Sequence, residues 1–277
     1  MSLTKYHGGK SRLAAWIISH MPAHSLYVEP FGGGASVLLA KRSAKSEVYN
    51  DLNGDIVNLF RMVRDRGEEL AYLVNMTPFA REEMELAYMP TDDPLEKARR
   101  FFVRAEQAIT TTSIHEKSGF RTAINSRDYC SQFLTFYKRP EIILKTRERL
   151  ARVAIENTDA FKLLERFDAP ETLFYLDPPY LNETRGKKSI RIGYTHNLSD
   201  EQHIKLLEWA NQTCAKVIIS GYDNPLYCQH LGHWRKEQTH SHDDAKKKRI
   251  ETLWMNYPEP AGNLFNHHQP APTDCPL

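Results

Sequence analysis

Long apolar runs are missing from this chain of 277 residues. No stretch approaches the ~18 consecutive apolar residues that a membrane-spanning helix needs. The opening residues, Met1-Ser2-Leu3-Thr4-Lys5, contain no apolar core of the signal-peptide kind. A cytoplasmic protein with no membrane partner is therefore expected. Cysteine is scarce: Cys130, Cys214, Cys228 and Cys275 are the 4 present, and none forms a C-x-x-C pair. That excludes a zinc site of this type and leaves scattered reduced thiols, with no metal expected. Internal repeats are absent, which excludes solenoids and propellers. Net charge is also small, at +2, so any polyanion partner must be met by local charge.

What is present suits a sizeable core: 41% apolar and 26% charged residues. Local charge is uneven. From Lys97 to Arg152 there are 13 Lys and Arg against 5 Asp and Glu, a surplus of 8. Arg185, Lys187, Lys188 and Arg191 form a second basic cluster, and Lys246 to Arg249 a third. Such excess attracts a polyanion; each cluster alone reads equally well as solvated surface.

The order of elements predicts an α/β fold. Leu26-Tyr27-Val28 is a short strand ending at Glu29-Pro-Phe-Gly-Gly-Gly34, and Ala35 to Lys41 reads as a helix. Glu47 to Asn50 is a second strand, and Asp55 to Arg66 has helical spacing. This β-α-β-α order implies a parallel sheet covered by helices. Residues 82–149 are mostly helical and charged, with a loop or hairpin near 110–126. Strands resume at Val153 to Ile155, Leu173 to Leu176, Lys216 to Ser220 and Thr252 to Tyr257. The division expected is a catalytic domain of residues 1–66 and 151–257, an inserted, mainly helical subdomain of 67–150, and a tail of 258–277. That tail holds five prolines and reads as flexible.

Two constellations carry chemistry. Glycines at a strand-to-helix turn allow a tight bend and close approach to a ligand. Asp51 lies 22 residues after Glu29 at the end of the next strand, where a carboxylate can accept from ribose hydroxyls. Together they point to a cofactor containing adenosine. Gly9-Lys10-Ser11 is no P-loop, because Thr4 stands where that motif needs glycine.

The second constellation is Asp177-Pro178-Pro179-Tyr180, directly after an apolar strand. A carboxylate there reaches the ligand crevice of an open sheet. The prolines hold the next backbone extended and leave carbonyl acceptors unpaired. The exocyclic amine of adenine is a poor nucleophile because its lone pair is delocalised into the ring. Asp177 and the Pro178 carbonyl, each accepting one N–H, would favour pyramidal nitrogen and free that lone pair. Tyr180 would stack on the base.

Lys5-Tyr-His-Gly-Gly-Lys10, Glu29 to Gly34, Asn50-Asp-Leu-Asn53 and Asp177 to Tyr180 resemble the Dam-type (D12 class) adenine-specific DNA methyltransferases. The resemblance implies a Rossmann-like, S-adenosylmethionine-dependent methyltransferase sheet with an inserted target-recognition subdomain. It implies duplex DNA as substrate; a monomer or weak dimer is expected, with the oligomeric state left open by the sequence. The sequence leaves open whether the chain belongs to a restriction-modification pair with a cognate restriction enzyme. Tyr6 and Lys10 correspond to cofactor contacts; Glu29, Pro30, Phe31, Gly32 and Gly34 to the turn around the methionine part; Asp51 to the ribose ligand; and Asp159 to the contact near the cofactor's adenine. Asp177 would face both cofactor and substrate. The insert lacks the Asn-Arg-containing segment that reads GATC and has Phe101 to Thr112 instead. This argues for another recognition site and for a phage or prophage type, working in a bacterial cell or an infected host.

Arg99, Arg100, Arg104, Arg121 and Arg127 are the expected phosphate-gripping residues of the insert. Arg185 and Lys187 belong to a loop that closes over a flipped-out adenine. A catalytically silent DNA-binding protein, an RNA methyltransferase and a cytosine amine methyltransferase remain as alternatives from the residues alone.

Overall fold

The computed structural model describes residues 3, 4, 6, 8–110, 117–121, 134–179, 181, 197–242 and 248–259. Its strands are β1 (Leu26–Glu29), β2 (Ser46–Asn50), β3 (Val153–Glu156), β4 (Thr172–Leu176), β5 (Lys216–Tyr222), β6 (Arg235–His242) and β7 (Lys248–Met255). Its helices include α1 (Ala14–Ser19), α2 (Ser36–Ala40), α3 (Gly54–Met76), α4 (Arg81–Leu86) and α5 (Pro94–Gln107). After them come α6 (Arg139–Leu150), α7 (Ala160–Arg166), α8 (Asp200–Gln212) and α9 (Pro225–Leu231).

Among the described residues the strands form one 7-stranded sheet in the order β3-β2-β1-β4-β5-β7-β6. The first five strands are parallel, while β7 runs antiparallel to both β5 and β6. Alternate side chains of the central strands go to opposite faces. Tyr27, Leu173, Tyr175 and Ile218 join α1, α2, α3, α5 and α6 in one core. Val28, Phe174, Leu176, Val217 and Ile219 join α7, α8 and α9 in the other. Strand β4 is buried at every position, which is why its sequence is continuously apolar rather than alternating.

From β1 the chain builds outward through β2 and β3, then returns to the other side of β1 with β4 and β5. The order therefore reverses between β1 and β4. In open parallel sheets the ligand crevice lies at such a reversal, outside the carboxyl ends of the strands. Glu29 and Asp177 leave β1 and β4 at that point.

Local chemistry sets the helix starts. Asn53 caps α3 by accepting from the Asp55 amide at 2.9 Å. Asp93 caps α5 ahead of Pro94, where a missing N–H costs nothing. Ser199 and Gln202 make a reciprocal capping box on α8.

Two element bounds differ from expectation. Helix α3 does not stop at residue 66 but runs through it, with a kink at Arg66 (φ −132°, ψ 35°). Leu70 and Val74 beyond the kink share a core with Ile56, Phe60, Phe102 and the sheet residue Tyr175. Helices of the insert thus help to cover one face of the sheet, and among the described residues Met84, Ala87, Val103 and Ala108 form a separate small cluster. The last strand also begins earlier than expected, at Lys248, and pairs along its full length with β6. β6 (Arg235–His242) is polar at nearly every position and lies at the sheet edge, so apolar periodicity could not reveal it.

The hairpin expected near 110–126 is seen at its base. Ala108 and Phe120 form an antiparallel bridge, the Ile109 amide donates to Gly119 O at 3.0 Å, and the Arg121 amide donates to Gln107 O at 2.8 Å. The rest of that segment and residues 260–277 of the expected tail lie outside the described residues.

Candidate active site

The glycine turn after β1 is shaped by what packs onto it. A Cβ at Gly32 would sit 2.2 Å from Tyr49 Cε2 and 2.9 Å from Asn50 O. Only glycine fits there. Gly33 has φ +45° and faces the Tyr6 ring, whose Cε1 would lie 2.9 Å from an added Cβ. Tyr6 thus lies across the turn. Ala35, which leads into α2, is held at φ 50°, a conformation that non-glycine residues keep only where the surroundings impose it.

Asp51, at the end of β2, fastens this turn from the side. Its Oδ2 accepts from the Gly33 amide at 2.8 Å, and its Oδ1 accepts from the Asn53 amide at 2.8 Å. Asn50 is fully buried and joins three loops: it donates to Pro30 O at 2.9 Å and Thr158 O at 3.0 Å, and accepts from the Thr158 amide at 2.9 Å. Asp159 follows and caps α7 through the Phe161 amide at 2.8 Å.

Glu29 is buried at the end of β1. Its Oε2 accepts from the Tyr27 hydroxyl at 3.0 Å and from the Leu38 amide at 3.2 Å. Burial pushes its carboxyl up to about 8, with the nearby Asp177 adding in the same direction.

Asp177 leaves β4 beside Glu29. Lys10 Nζ lies 2.9 Å from its Oδ1, and the Ser220 hydroxyl lies 2.8 Å from the same oxygen. Ser220 is in turn 3.0 Å from the Tyr175 hydroxyl. Pro178 is buried behind the carboxylate and Pro179 is half-buried. Tyr180 lies outside the described residues.

These groups enclose one cavity of about 430 Å³, a volume typical of a small-molecule or cofactor site. Tyr6, Lys10, Glu29, Pro30, Phe31 and Gly32 line it, and so do Gly34, Asp51, Asp159, Asp177 and Pro179. The residues singled out as cofactor contacts therefore converge, although they span 172 positions from Tyr6 to Asp177 counted inclusively. The wall also includes Asn197, Leu198 and Gln202 at the start of α8, which sequence reasoning missed. The Ser199-x-x-Gln202 capping signature marked that helix start but not its role. Ser220 was missed as well; its signal was a polar residue closing the apolar run Val217 to Ile219, beside Asp177 at the end of β4.

The basic residues divide differently from expectation. Arg99 is buried and spends its guanidinium on Glu96 (2.7 Å), Glu83 (2.8 Å) and the Thr77 hydroxyl (3.0 Å). Arg100 is bonded to Glu96 at 2.6 Å and to Met89 O at 2.7 Å. Arg104 donates to Ala87 O at 3.1 Å, with its side chain 14% exposed. The described contacts of these three are thus all with protein groups. The reason is local: Glu96 lies three and four residues before Arg99 and Arg100, the spacing at which helix side chains meet. Arg121 ties the hairpin base, donating to Ala108 O and Ile109 O, both at 3.0 Å. Arg127, Arg185 and Lys187 lie outside the described residues.

A parallel sheet with an antiparallel final hairpin, a glycine turn at the strand-order reversal, and Asp-Pro-Pro at the end of the adjacent strand define an α/β methyltransferase. Residues 6–248 match the family described as D12 class N6 adenine-specific DNA methyltransferase. The chain belongs to that family, and it is an adenine-specific DNA methyltransferase. It is 28% identical over 243 residues to the Type II methyltransferase M1.LlaDCHI of Lactococcus lactis subsp. cremoris, covering 80% of this chain and 81% of that protein. It is 24% identical to the DNA adenine methylase of Serratia marcescens, covering 80% and 83%. To the Retron Ec67 DNA adenine methylase of Escherichia coli it is 22% identical over 236 residues, covering 81% and 78%. Among the described residues no helix is long and apolar enough to cross a membrane.

Proposed function

We propose that the cavity binds S-adenosylmethionine and that Asp177 and the Pro178 carbonyl hold the amine of an adenine flipped out of duplex DNA. The observation that carries this reading is the position of Asp177 at the strand-order reversal, on the wall of the same cavity that the glycine turn lines.

The wall residues suit such a cofactor. The glycine turn leaves room that side chains would fill, and Asp51 supplies a carboxylate for ribose hydroxyls. Asp159 and Phe161 would meet its adenine, while Tyr6 packs on the glycine turn and Lys10 lines the same cavity beside Asp177. Glu29 on the cavity wall would present its carboxyl to the positive charge that this cofactor carries. When bound, the cofactor supplies an electrophilic methyl group.

The chain's own contribution is to prepare the acceptor. Asp177 and the Pro178 carbonyl each take one N–H of the adenine amine, which localises its lone pair. Positive charge grows on that nitrogen only as the new bond forms, so the carboxylate stabilises the transition state more than the ground state. The proton released from the amine passes to Asp177 and then to water. Tyr180 stacks on the base.

Flipping costs a few kcal/mol, which the protein recovers through contacts with the opened duplex. We assign target reading to the insert, residues 67–150, through the hairpin that rises from Ala108 and Phe120, with Arg121 at its base and Arg127 beyond. Arg185 and Lys187 would grip phosphate from the loop after Asp177 to Tyr180. Similarity to a Type II methyltransferase supports a restriction-modification setting.

The test is Asp177→Ala. Methyl transfer should be abolished while cofactor affinity stays within ~10-fold, because the carboxylate acts mainly in the transition state. Normal turnover in that variant would overturn the mechanism.

A further inference from the structure

We infer that Ser220, backed by Tyr175, is a positioning residue that fixes which oxygen of Asp177 meets the adenine amine. The inference rests on the reading of Asp177 given above.

Both partners of the carboxylate meet on one oxygen. Lys10 Nζ and the Ser220 hydroxyl lie 2.9 Å and 2.8 Å from Oδ1. Oδ2 takes part in no hydrogen bond among the described residues. Two donors on one oxygen fix both the torsion of the side chain and its presented lone pairs. Oδ2 is then the oxygen left for the substrate N–H.

The direction of the chain of bonds follows from counting protons. A serine hydroxyl has one hydrogen to give. Its acceptors are Asp177 Oδ1 at 2.8 Å and Leu176 O at 3.4 Å; the shorter, charged acceptor wins. Ser220 therefore accepts from Tyr175, 3.0 Å away. Burial pushes the Tyr175 phenol well above its ordinary range, with Asp177 adding to the effect, so it stays a donor at physiological pH. Ser220 and Tyr175 are 2% and 1% exposed; water does not replace either one.

Strand register supplies the geometry. Tyr175 is paired with Ile218 and Leu176 with Ile219, so one more step sets Ser220 beside Asp177. Strand β5 continues to Tyr222 past the point where β4 stops, and holds Ser220 on rigid backbone. Asp177, in contrast, stands at the first position after its strand and needs an outside support. A misdirected carboxylate of this kind costs on the order of 100-fold in rate.

The experiment compares Ser220→Ala, Ser220→Thr and Asp177→Asn in methylation of plasmid DNA from a methylation-deficient host. Cofactor binding by calorimetry and thermal unfolding accompany the kinetics. Ser220→Ala should lower kcat by ~10- to 100-fold with cofactor Kd and Tm near wild type, and Ser220→Thr should restore most of the rate. The double variant S220A/Y175F leaves no orphan phenol, so it should show the same kcat loss even if S220A alone is unstable. Wild-type kcat in Ser220→Ala overturns the inference. So does a loss of rate matched by equal losses of cofactor affinity and Tm, which would mark a merely structural role. Asp177→Asn separates the two readings: if it is inactive while Ser220→Ala is normal, only the role of Ser220 fails; if it turns over normally, the reading of Asp177 fails too.

Discussion

Replacing Glu29 by Gln should stabilise the cofactor-free protein at neutral and alkaline pH and leave it nearly unchanged in acid. Burial holds the Glu29 carboxyl at about 8, against an ordinary 4.5. At pH values below the ordinary pKa, folded and unfolded chains both carry the proton and nothing depends on pH. Between the two values only the folded chain holds it, so folding loses up to ~1.4 kcal/mol per pH unit. Once pH passes the folded value both forms are ionised and the loss is complete. The full gap sets a ceiling of ~5 kcal/mol, and relaxation around a buried charge brings the expected loss down to ~2–4 kcal/mol. Gln does not titrate, and its carbonyl can still accept from Tyr27 and Leu38. At ~2–4 °C per kcal/mol for a chain of this size, the variant should unfold several degrees higher at pH 8 and match wild type at pH 4.5. Scanning fluorimetry of the cofactor-free proteins from pH 4.5 to 8.5 would show the two curves diverging. Parallel curves, or a less stable variant at pH 8, would refute the reasoning. The gain should come with weaker binding of the cationic cofactor, the usual cost of relieving a strained functional site.

Gly32→Ala should lose cofactor binding and ~1–3 kcal/mol of stability, because the new Cβ would meet Tyr49 and Asn50 within 3 Å; calorimetry showing normal affinity would contradict this. Arg139→Met strips Glu106 of its guanidinium partner, 2.7 Å away, where Glu106 is 3% exposed. That should cost ~3–5 kcal/mol in urea unfolding, and the double variant with Glu106→Leu should recover most of it. Arg99→Ala should lower Tm yet leave the slope of log K against log salt for DNA unchanged, since its guanidinium is already engaged by Glu96 and Glu83. A shallower slope would return Arg99 to the DNA interface.

Legibility of the sequence followed the physics of each element. Strands β1, β4 and β5 were readable because both faces are covered, so their apolar runs are continuous. The edge strand β6 had no such signal. The length of α3 was misjudged at Arg66, where charged residues and a kink interrupt the apolar stripe that resumes at Leu70 and Val74. Glu29, Asp51 and Asp177 could be picked out as candidates for the cavity wall because chain order alone delivers carboxylates to the ends of neighbouring strands. Ser220 and Gln202 required knowing which strand or helix lies beside that reversal, which is tertiary information. Arginines announce charge but not partners. The spacing of Glu96 to Arg99 and Arg100 carried the missing signal, and the count of charges along the insert concealed it.

Nucleoside analysis by mass spectrometry of DNA treated with the purified protein and S-adenosylmethionine, wild type beside Asp177→Ala, tests the central claim most directly. The account predicts N6-methyladenine from the wild type and none from the variant, with both proteins binding the cofactor. N4-methylcytosine as the product, or N6-methyladenine from the variant at the wild-type rate, would contradict it.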